Sequence, residues 1–330
     1  MNKVVVLGAN SFSGQDCVDL LLDDPGREVI GISRSQERSD LFLKYRLRDD
    51  LANYRYVQID MNTQMPALLE LIDAEQPEVI VNFAAQSEVA PSWDHPEHWY
   101  QTNCVALAEM VNHLRRRAYL RRYVHISSPE VYGTCVGNVG EDAPIRPSTP
   151  YAASKAAADL LLQTYFKQFG FPVVFVRATN VYGARQQLFK IIPRSVIFAR
   201  LGTPIELHGG GVAVKSYIHI RDVSRGVLAL IEAGRVGQIY HLSPDRGVAV
   251  RDVVRAVCER VGRPFEASVV MSPERPGQDG AYTIDSSKAR REIGWKPQVS
   301  FDDGLSEVVA WVCEYWDDIV TQPLSYRHHA

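Results

Sequence analysis

Val4-Val5-Val6-Leu7-Gly8-Ala9-Asn10-Ser11-Phe12-Ser13-Gly14 joins an apolar run to a glycine-bearing turn, and Cys17–Leu22 then reads as a helix. A strand that is apolar at every position is buried on both faces, which in a parallel sheet means helices above and below. The glycines have a chemical use here. Backbone amides at a helix N-terminus can approach a pyrophosphate only where no Cβ stands in the way. The spacing is G-x-x-S-x-x-G rather than G-x-G-x-x-G, so by itself the motif is equally a structural turn before a helix. Its place on the first strand favours a dinucleotide, with Gly8, Asn10, Ser11, Phe12 and Gly14 as its contacts.

Working outward, Glu28–Ser33, Tyr56–Asp60, Glu78–Phe83, Tyr123–Ser127 and Val173–Arg177 read as further strands, with His98–Arg117 and Ala152–Phe169 as long helices. This alternation predicts an α/β fold, a doubly wound parallel sheet over residues 1–180 with ligands at the carboxyl ends of its strands. Beyond Arg177 the alternation is broken by Pro193, Gly202, Pro204 and Gly209-Gly210-Gly211. Residues 181–330 are therefore read as a smaller C-terminal α/β substrate-binding domain, with helices at Val248–Val261 and Phe301–Trp316. Ser216–Ala233, a strand and then a helix, is read as returning to the first domain.

Composition narrows the class. The chain of 330 residues is 46% apolar and 23% charged, with a net charge of -3, which gives no electrostatic case for nucleic acid or a membrane surface. Five scattered cysteines without a CxxC point to reduced thiols in a cytoplasm rather than a disulfide frame or a zinc site. The first residues are too short an apolar run for a signal peptide, and no later stretch is long enough to span a bilayer. The expectation is a cytoplasmic protein that binds no metal.

The second strand ends in Ser33-Arg34-Ser35, where a carboxylate would favour an unphosphorylated ribose. Arginine suits a 2'-phosphate, so Arg34 and Ser35 favour NADP over NAD; a solvated loop arginine with NAD bound is the alternative. Asp60, followed by Met61, is placed to meet adenine or simply to cap the strand. Tyr151 and Lys155 lie i, i+4 at the start of a helix and share one face. A phenol with an ordinary pKa near 10 is a poor base at neutral pH, and a neighbouring ammonium favours its phenolate. Such pairs are common by chance, but this one follows His125-Ile126-Ser127-Ser128-Pro129-Glu130-Val131-Tyr132-Gly133, which sets Ser128 and Glu130 at the carboxyl end of the fifth strand. His125, His219 and Trp295 read as packed core, and Cys135 has no partner arrangement for nucleophilic catalysis.

With these segments in this order, the chain resembles the extended short-chain dehydrogenases/reductases of the nucleotide-sugar epimerase/dehydratase family, and most the dTDP-glucose and GDP-mannose 4,6-dehydratases. The resemblance covers nearly the whole chain. It rests on Gly8–Gly14, Asn82–Ser87, Thr102-Asn103, Ile126–Gly133, Pro147–Lys155, Arg177–Gly183, Ile191–Pro193, Leu207–Gly211, Arg275–Asp279 and Ile293–Pro297. It implies a Rossmann fold, a tightly held and recycled NADP or NAD, a nucleotide-diphosphate sugar and a homodimer formed on the helices at His98–Arg117 and Ala152–Phe169. It also implies that Tyr151 takes the proton of the sugar C4 hydroxyl, that Ser128 bonds the same oxygen, and that Lys155 holds the ribose and the tyrosine. Glu130 would then remove the C5 proton, water would leave C6, and hydride would return to C6 to give a 4-keto-6-deoxy sugar. Ala84, Ala85 and Asn103 would join the cofactor contacts. Gln86, Ser87, Asn180, Lys190, Arg194, Leu207, His208, Lys215 and Arg275 would meet the substrate. One position departs: the dTDP-glucose enzymes carry an Asp where this chain has Pro129, as the GDP-mannose enzymes also lack it. A 4-epimerase or another C4-keto enzyme is therefore the alternative, and a non-catalytic cofactor-binding regulator ranks below both, since Tyr151 and Lys155 are present.

Overall fold

The computed structural model describes residues 2–135, 137–273 and 281–329. Its centre is a single parallel sheet of seven strands: β1 Lys3–Leu7, β2 Glu28–Ser33, β3 Tyr54–Gln58, β4 Val79–Asn82, β5 Arg122–Ile126, β6 Val173–Ala178 and β7 Ile239–Leu242. In these labels the order is β7-β6-β5-β4-β1-β2-β3, so the chain reverses direction across the sheet between β1 and β4. That switch point opens a crevice at the carboxyl ends of the two strands. The doubly wound fold expected from the sequence is the fold observed.

The quoted stretch shows why. Successive side chains of a strand point to opposite faces. Val4 and Val6 enter a core with Val18 of helix α1 (Phe12–Leu21) and with Val227 and Leu230. Val5 and Leu7 enter a second core on the other face, with Ile72 of helix α2 (Met65–Glu75), Met110 of α3 (Leu107–Leu114) and Leu162 of α4 (Pro150–Phe169). Each such burial contributes about 1.5–3 kcal/mol, and a one-residue register slip would exchange the two cores. Helix ends follow local chemistry. Ser11 caps α1 by accepting from the Gly14 amide at 3.0 Å. Thr149 caps α4 by accepting from Ala152 at 3.1 Å, Pro150 sits where a missing N–H costs nothing, and Gly170 closes the helix at φ +66°.

Residues beyond 180 are divided between the two layers. Helix α5 (Ile191–Leu201), helix α7 (Val250–Val261) and helix α8 (Phe301–Glu314) share a third core around Val196, Val257 and Val308. Helix α6 (Ile220–Ala233) packs instead against the sheet beside α1, with Trp295 in the same core. Ile239–Leu242 also returns, as β7 beside β6; the sequence reading has six strands and lacks this one, because a four-residue run containing His241 carries no period of its own. The helical stretch at His98–Arg117 is observed as Pro96–Tyr100, a π-helical segment Gln101–Ala106 and α3. Among the described residues no two cysteines form a disulfide. Among the described residues, no helix is long and apolar enough to cross a membrane.

Candidate active site

A cavity of about 790 Å³ opens over the ends of β1, β2 and β4. Gly8 forms its floor at φ +80°, where a Cβ would lie 2.8 Å from the Ala84 nitrogen; a residue with a side chain is excluded by conformation and by space. Asn10 builds the neighbouring loop. Its Nδ2 donates to Ser35 Oγ at 2.8 Å and to the Gln36 carbonyl at 2.7 Å, and its Oδ1 accepts from the Arg38 amide at 3.0 Å. Ser11, Arg34, Ser35, Asp60, Met61, Ala84 and Ala85 line the same cavity. Two expected contacts lie behind the wall. Gly14 is packed so closely that a Cβ would run into the Gly8 carbonyl oxygen, and its role is to let α1 approach β1. The Asn103 amide is spent inside the protein: Oδ1 accepts from Gln86 N at 2.9 Å, while Nδ2 donates to the Gln86 carbonyl at 3.0 Å and to Ser154 Oγ at 2.9 Å. It shapes the cavity through the Gln86 segment and is itself buried.

A second cavity, about 520 Å³, continues past Phe12 and Ala85 and is lined by Ser128, Glu130, Tyr151 and Lys155. Ser128 follows the end of β5 and caps the short turn Pro129–Tyr132, accepting from the Glu130 amide at 3.2 Å. Pro129 occupies the first position of that turn, where proline is favoured, so its presence has a local structural cause. Tyr151 lies in the first turn of α4, its amide donating to Ser92 Oγ at 3.2 Å. One turn on, Lys155 Nζ donates to the Ile126 carbonyl at 2.7 Å, which keys α4 to the end of β5.

Electrostatics in this cavity differ from the sequence expectation. Burial holds the Tyr151 phenol well above its ordinary range; the Glu130 charge adds to that rise, and a hydrogen bond with Ser128 opposes it. Lys155 is pushed down to about 8, chiefly by burial, with Asp159 opposing. The protein alone therefore keeps the phenol neutral.

Beneath both groups lies a buried polar network. Asp159, one turn beyond Lys155, accepts at Oδ2 from Ser127 Oγ and from an Arg177 guanidinium nitrogen, each at 2.7 Å. Arg177 also donates to the Tyr132 hydroxyl, which contacts His241 Nε2 at 2.7 Å. His125 is fully enclosed and stays neutral, held well below its ordinary range by burial and by nearby Lys155 and Arg177.

Asn180, Lys190, Arg194, His208 and Lys215 line the second cavity, and Ser87 borders both. Gln86 opens on the first cavity only. Lys190 pairs with Glu88 at 2.8 Å. Leu207 corrects the sequence reading: it is 1% exposed in a core with Ile205 and Cys258, because strand alternation turns it inward while His208 faces the cavity. Arg275 lies outside the described residues.

The family described as GDP-mannose 4,6 dehydratase matches residues 5–308. The chain belongs to the nucleotide-sugar dehydratase and epimerase family of extended short-chain dehydrogenases/reductases. Within it, the chain is 34% identical over 317 residues to a dTDP-glucose 4,6-dehydratase of Streptomyces niveus, covering 94% of this chain and 92% of that one. It is 30% identical over 328 residues to a trifunctional UDP-glucose 4,6-dehydratase/epimerase/reductase of Arabidopsis thaliana, covering 96% of this chain but only 48% of that protein, so this chain spans about half its length. A solved dTDP-glucose 4,6-dehydratase of Streptomyces venezuelae with NAD bound superposes with TM-score 0.87 at 31% identity, over 94% of this chain and 97% of that one.

Three features of this family member are missing from the sequence reading. Glu88 borders both cavities, and only the fold brings it to Lys190. Asp159 was findable, since it lies i+4 from Lys155 on one helix face. Arg38 also lines the first cavity; its guanidinium stacks 3.4 Å over the Phe42 ring. Burial pushes Arg38 down to about 10.

Proposed function

We propose that this chain is a nucleotide-sugar 4,6-dehydratase, a lyase that converts a nucleotide-diphosphate hexose to its 4-keto-6-deoxy product with loss of one water. The observation that carries the reading is the meeting of Ser128, Glu130, Tyr151 and Lys155 at one cavity, with the Glu130 charge close enough to act on the Tyr151 phenol. The first cavity fits a nicotinamide dinucleotide, whose phosphates need the side-chain-free approach that Gly8 provides. Bound there, the nicotinamide supplies acceptance of hydride from sugar C4 and its return at C6.

The chain's own groups handle the protons. Tyr151 Oη takes the proton of the C4 hydroxyl, Ser128 Oγ hydrogen-bonds the same oxygen, and the Lys155 ammonium opposes the burial that keeps the phenol neutral. Once C4 is a ketone, the C5 proton is acidic and the Glu130 carboxylate takes it. The C6–O bond breaks, and the same carboxyl returns that proton to the departing oxygen, so one water leaves; as hydride comes back to C6, C5 gains the proton that Tyr151 took from the C4 hydroxyl, which leaves Tyr151 and Glu130 as they began. Asn180, Lys190, Arg194 and Lys215 are the diphosphate and sugar contacts, with Lys190 exchanging Glu88 for the substrate. Exposed Tyr100 and Val105, on the helical segments Pro96–Tyr100 and Gln101–Ala106, and Leu160 on α4 support a homodimer. A 4-epimerase is the second reading, favoured by Pro129 at the acid position.

Product analysis by NMR decides between them. Incubated with nucleotide hexoses, the protein is expected to release a 4-keto-6-deoxy sugar; a product with inverted C4 and an intact C6 hydroxyl would overturn the dehydratase. Glu130→Gln is expected to slow dehydration by about 10²–10⁴-fold and to abolish C5 deuterium exchange while the C4 ketone still forms. Unchanged turnover removes Glu130 from the mechanism.

Arg34 and Arg38 at the end of β2 support NADP as the dinucleotide. Arg38→Ala is expected to weaken NADP binding about tenfold, equivalent to ~1.4 kcal/mol, and NAD binding much less. Equal losses for both would remove the 2'-phosphate assignment.

A further inference from the structure

Away from the sugar cavity, three imidazoles stack on one another. His328, in the C-terminal segment, lies 5.3 Å from His95 at 9° and 5.0 Å from His98 at 14°, with the Trp99 ring also stacked on it at 5.3 Å. Glu97 completes the group: its Oε1 is 3.8 Å from His95 Nδ1 and 3.7 Å from His98 Nε2. One ligand atom each from His95, Glu97 and His98 falls within 4.8 Å of the others. Tetrahedral zinc with bonds of ~2.0–2.1 Å holds its ligands about 3.3 Å apart, a small inward movement for side chains on the surface.

The same segment forms a wall of the dinucleotide cavity. Gln322, Pro323, Ser325, Tyr326, Arg327 and His329 all line it, and the His329 carbonyl accepts from Gln86 Nε2 at 2.7 Å. It is also attached through His328, whose Nε2 is 2.7 Å from His98 Nδ1 and whose Nδ1 is 3.0 Å from the Tyr326 hydroxyl.

We propose that His95, Glu97 and His98 form a site for a divalent transition metal of the zinc class, and that its occupancy latches residues 322–329 over the dinucleotide cavity. Two imidazoles and a carboxylate match zinc and its neighbours rather than magnesium or calcium. Coordination through His98 Nε2 leaves the proton on Nδ1, which must then donate to His328 Nε2. His328 thereby carries its own proton on Nδ1 and donates to the Tyr326 oxygen. One metal fixes the tautomers of both rings and so the hydrogen bonds that hold the segment down. The latch over a dinucleotide rests on the proposed function; the metal site does not.

The test uses the full-length protein with whatever dinucleotide it retains. Titration with zinc against a chromophoric chelator is expected to show one equivalent bound, with magnesium ineffective, and about tenfold or greater weakening in His95→Ala and His98→Ala. Saturating zinc is expected to slow amide hydrogen exchange of residues 322–329 about tenfold, and His328→Ala to remove that protection while zinc is still bound. Zinc binding that survives the double substitution of His95 and His98 would overturn the site. Zinc bound there without added protection would overturn the latch. A protein that binds no dinucleotide would refute the cofactor reading and leave both measurements standing.

Discussion

Tyr151→Phe is expected to lower the turnover of nucleotide sugar by about 10²–10⁴-fold with little change in fold or dinucleotide affinity. The Tyr151 side chain is 9% exposed and its ring is retained in the variant. What is lost is the oxygen that hydrogen-bonds Ser128 and that would take the C4 proton. The effect is expected to be large because burial and the Glu130 charge both hold the phenol neutral, and Lys155, one turn on in the same cavity, is the cation that the proposed mechanism sets against them. Steady-state rates alongside circular dichroism check this. A loss of less than about fivefold, below the span expected of a general base, would show that another group takes the proton.

The second large effect is on stability. Asp159 and Arg177 are 0% and 1% exposed and pair at 2.7 Å, and Asp159 also accepts from Ser127. Asp159→Ala leaves a guanidinium buried with its principal counter-charge gone, and removing one partner of such a pair costs about 3–5 kcal/mol. Denaturant unfolding is expected to show that loss as a lowered midpoint. A change below about 1 kcal/mol, the scale of an exposed pair, would mean that water or a rearranged Tyr132 takes over the charge. Ser127 follows β5 one residue before Ser128, so the same substitution is expected to loosen the Pro129–Tyr132 turn as well.

The sequence by itself determined what depends on neighbours along the chain. The unbroken apolar run Val4–Leu7 places apolar side chains on both faces of a strand whatever lies above them, and that identified the sheet as buried on both sides. The glycine turn, the caps at Ser11 and Thr149, and the i, i+4 spacing of Tyr151 and Lys155 are likewise local, so the Tyr151–Lys155 pair and the glycine loop were legible. The inward turn of Leu207 obeys the same alternation of side chains along a strand.

Packing alone decided the rest. No spacing relates Glu88 to Lys190, Arg177 to Asp159 and Ser127, or His98 to His328; those distances follow from which helix covers which strand. The ionisation of Tyr151 is of the same kind. Lys155 at i+4 is visible in the sequence, but the burial and the Glu130 charge that hold the phenol neutral exist only when α4 closes on the end of β5. Local periodicity specifies a backbone, whereas desolvation and long-range pairing are properties of the assembled interior.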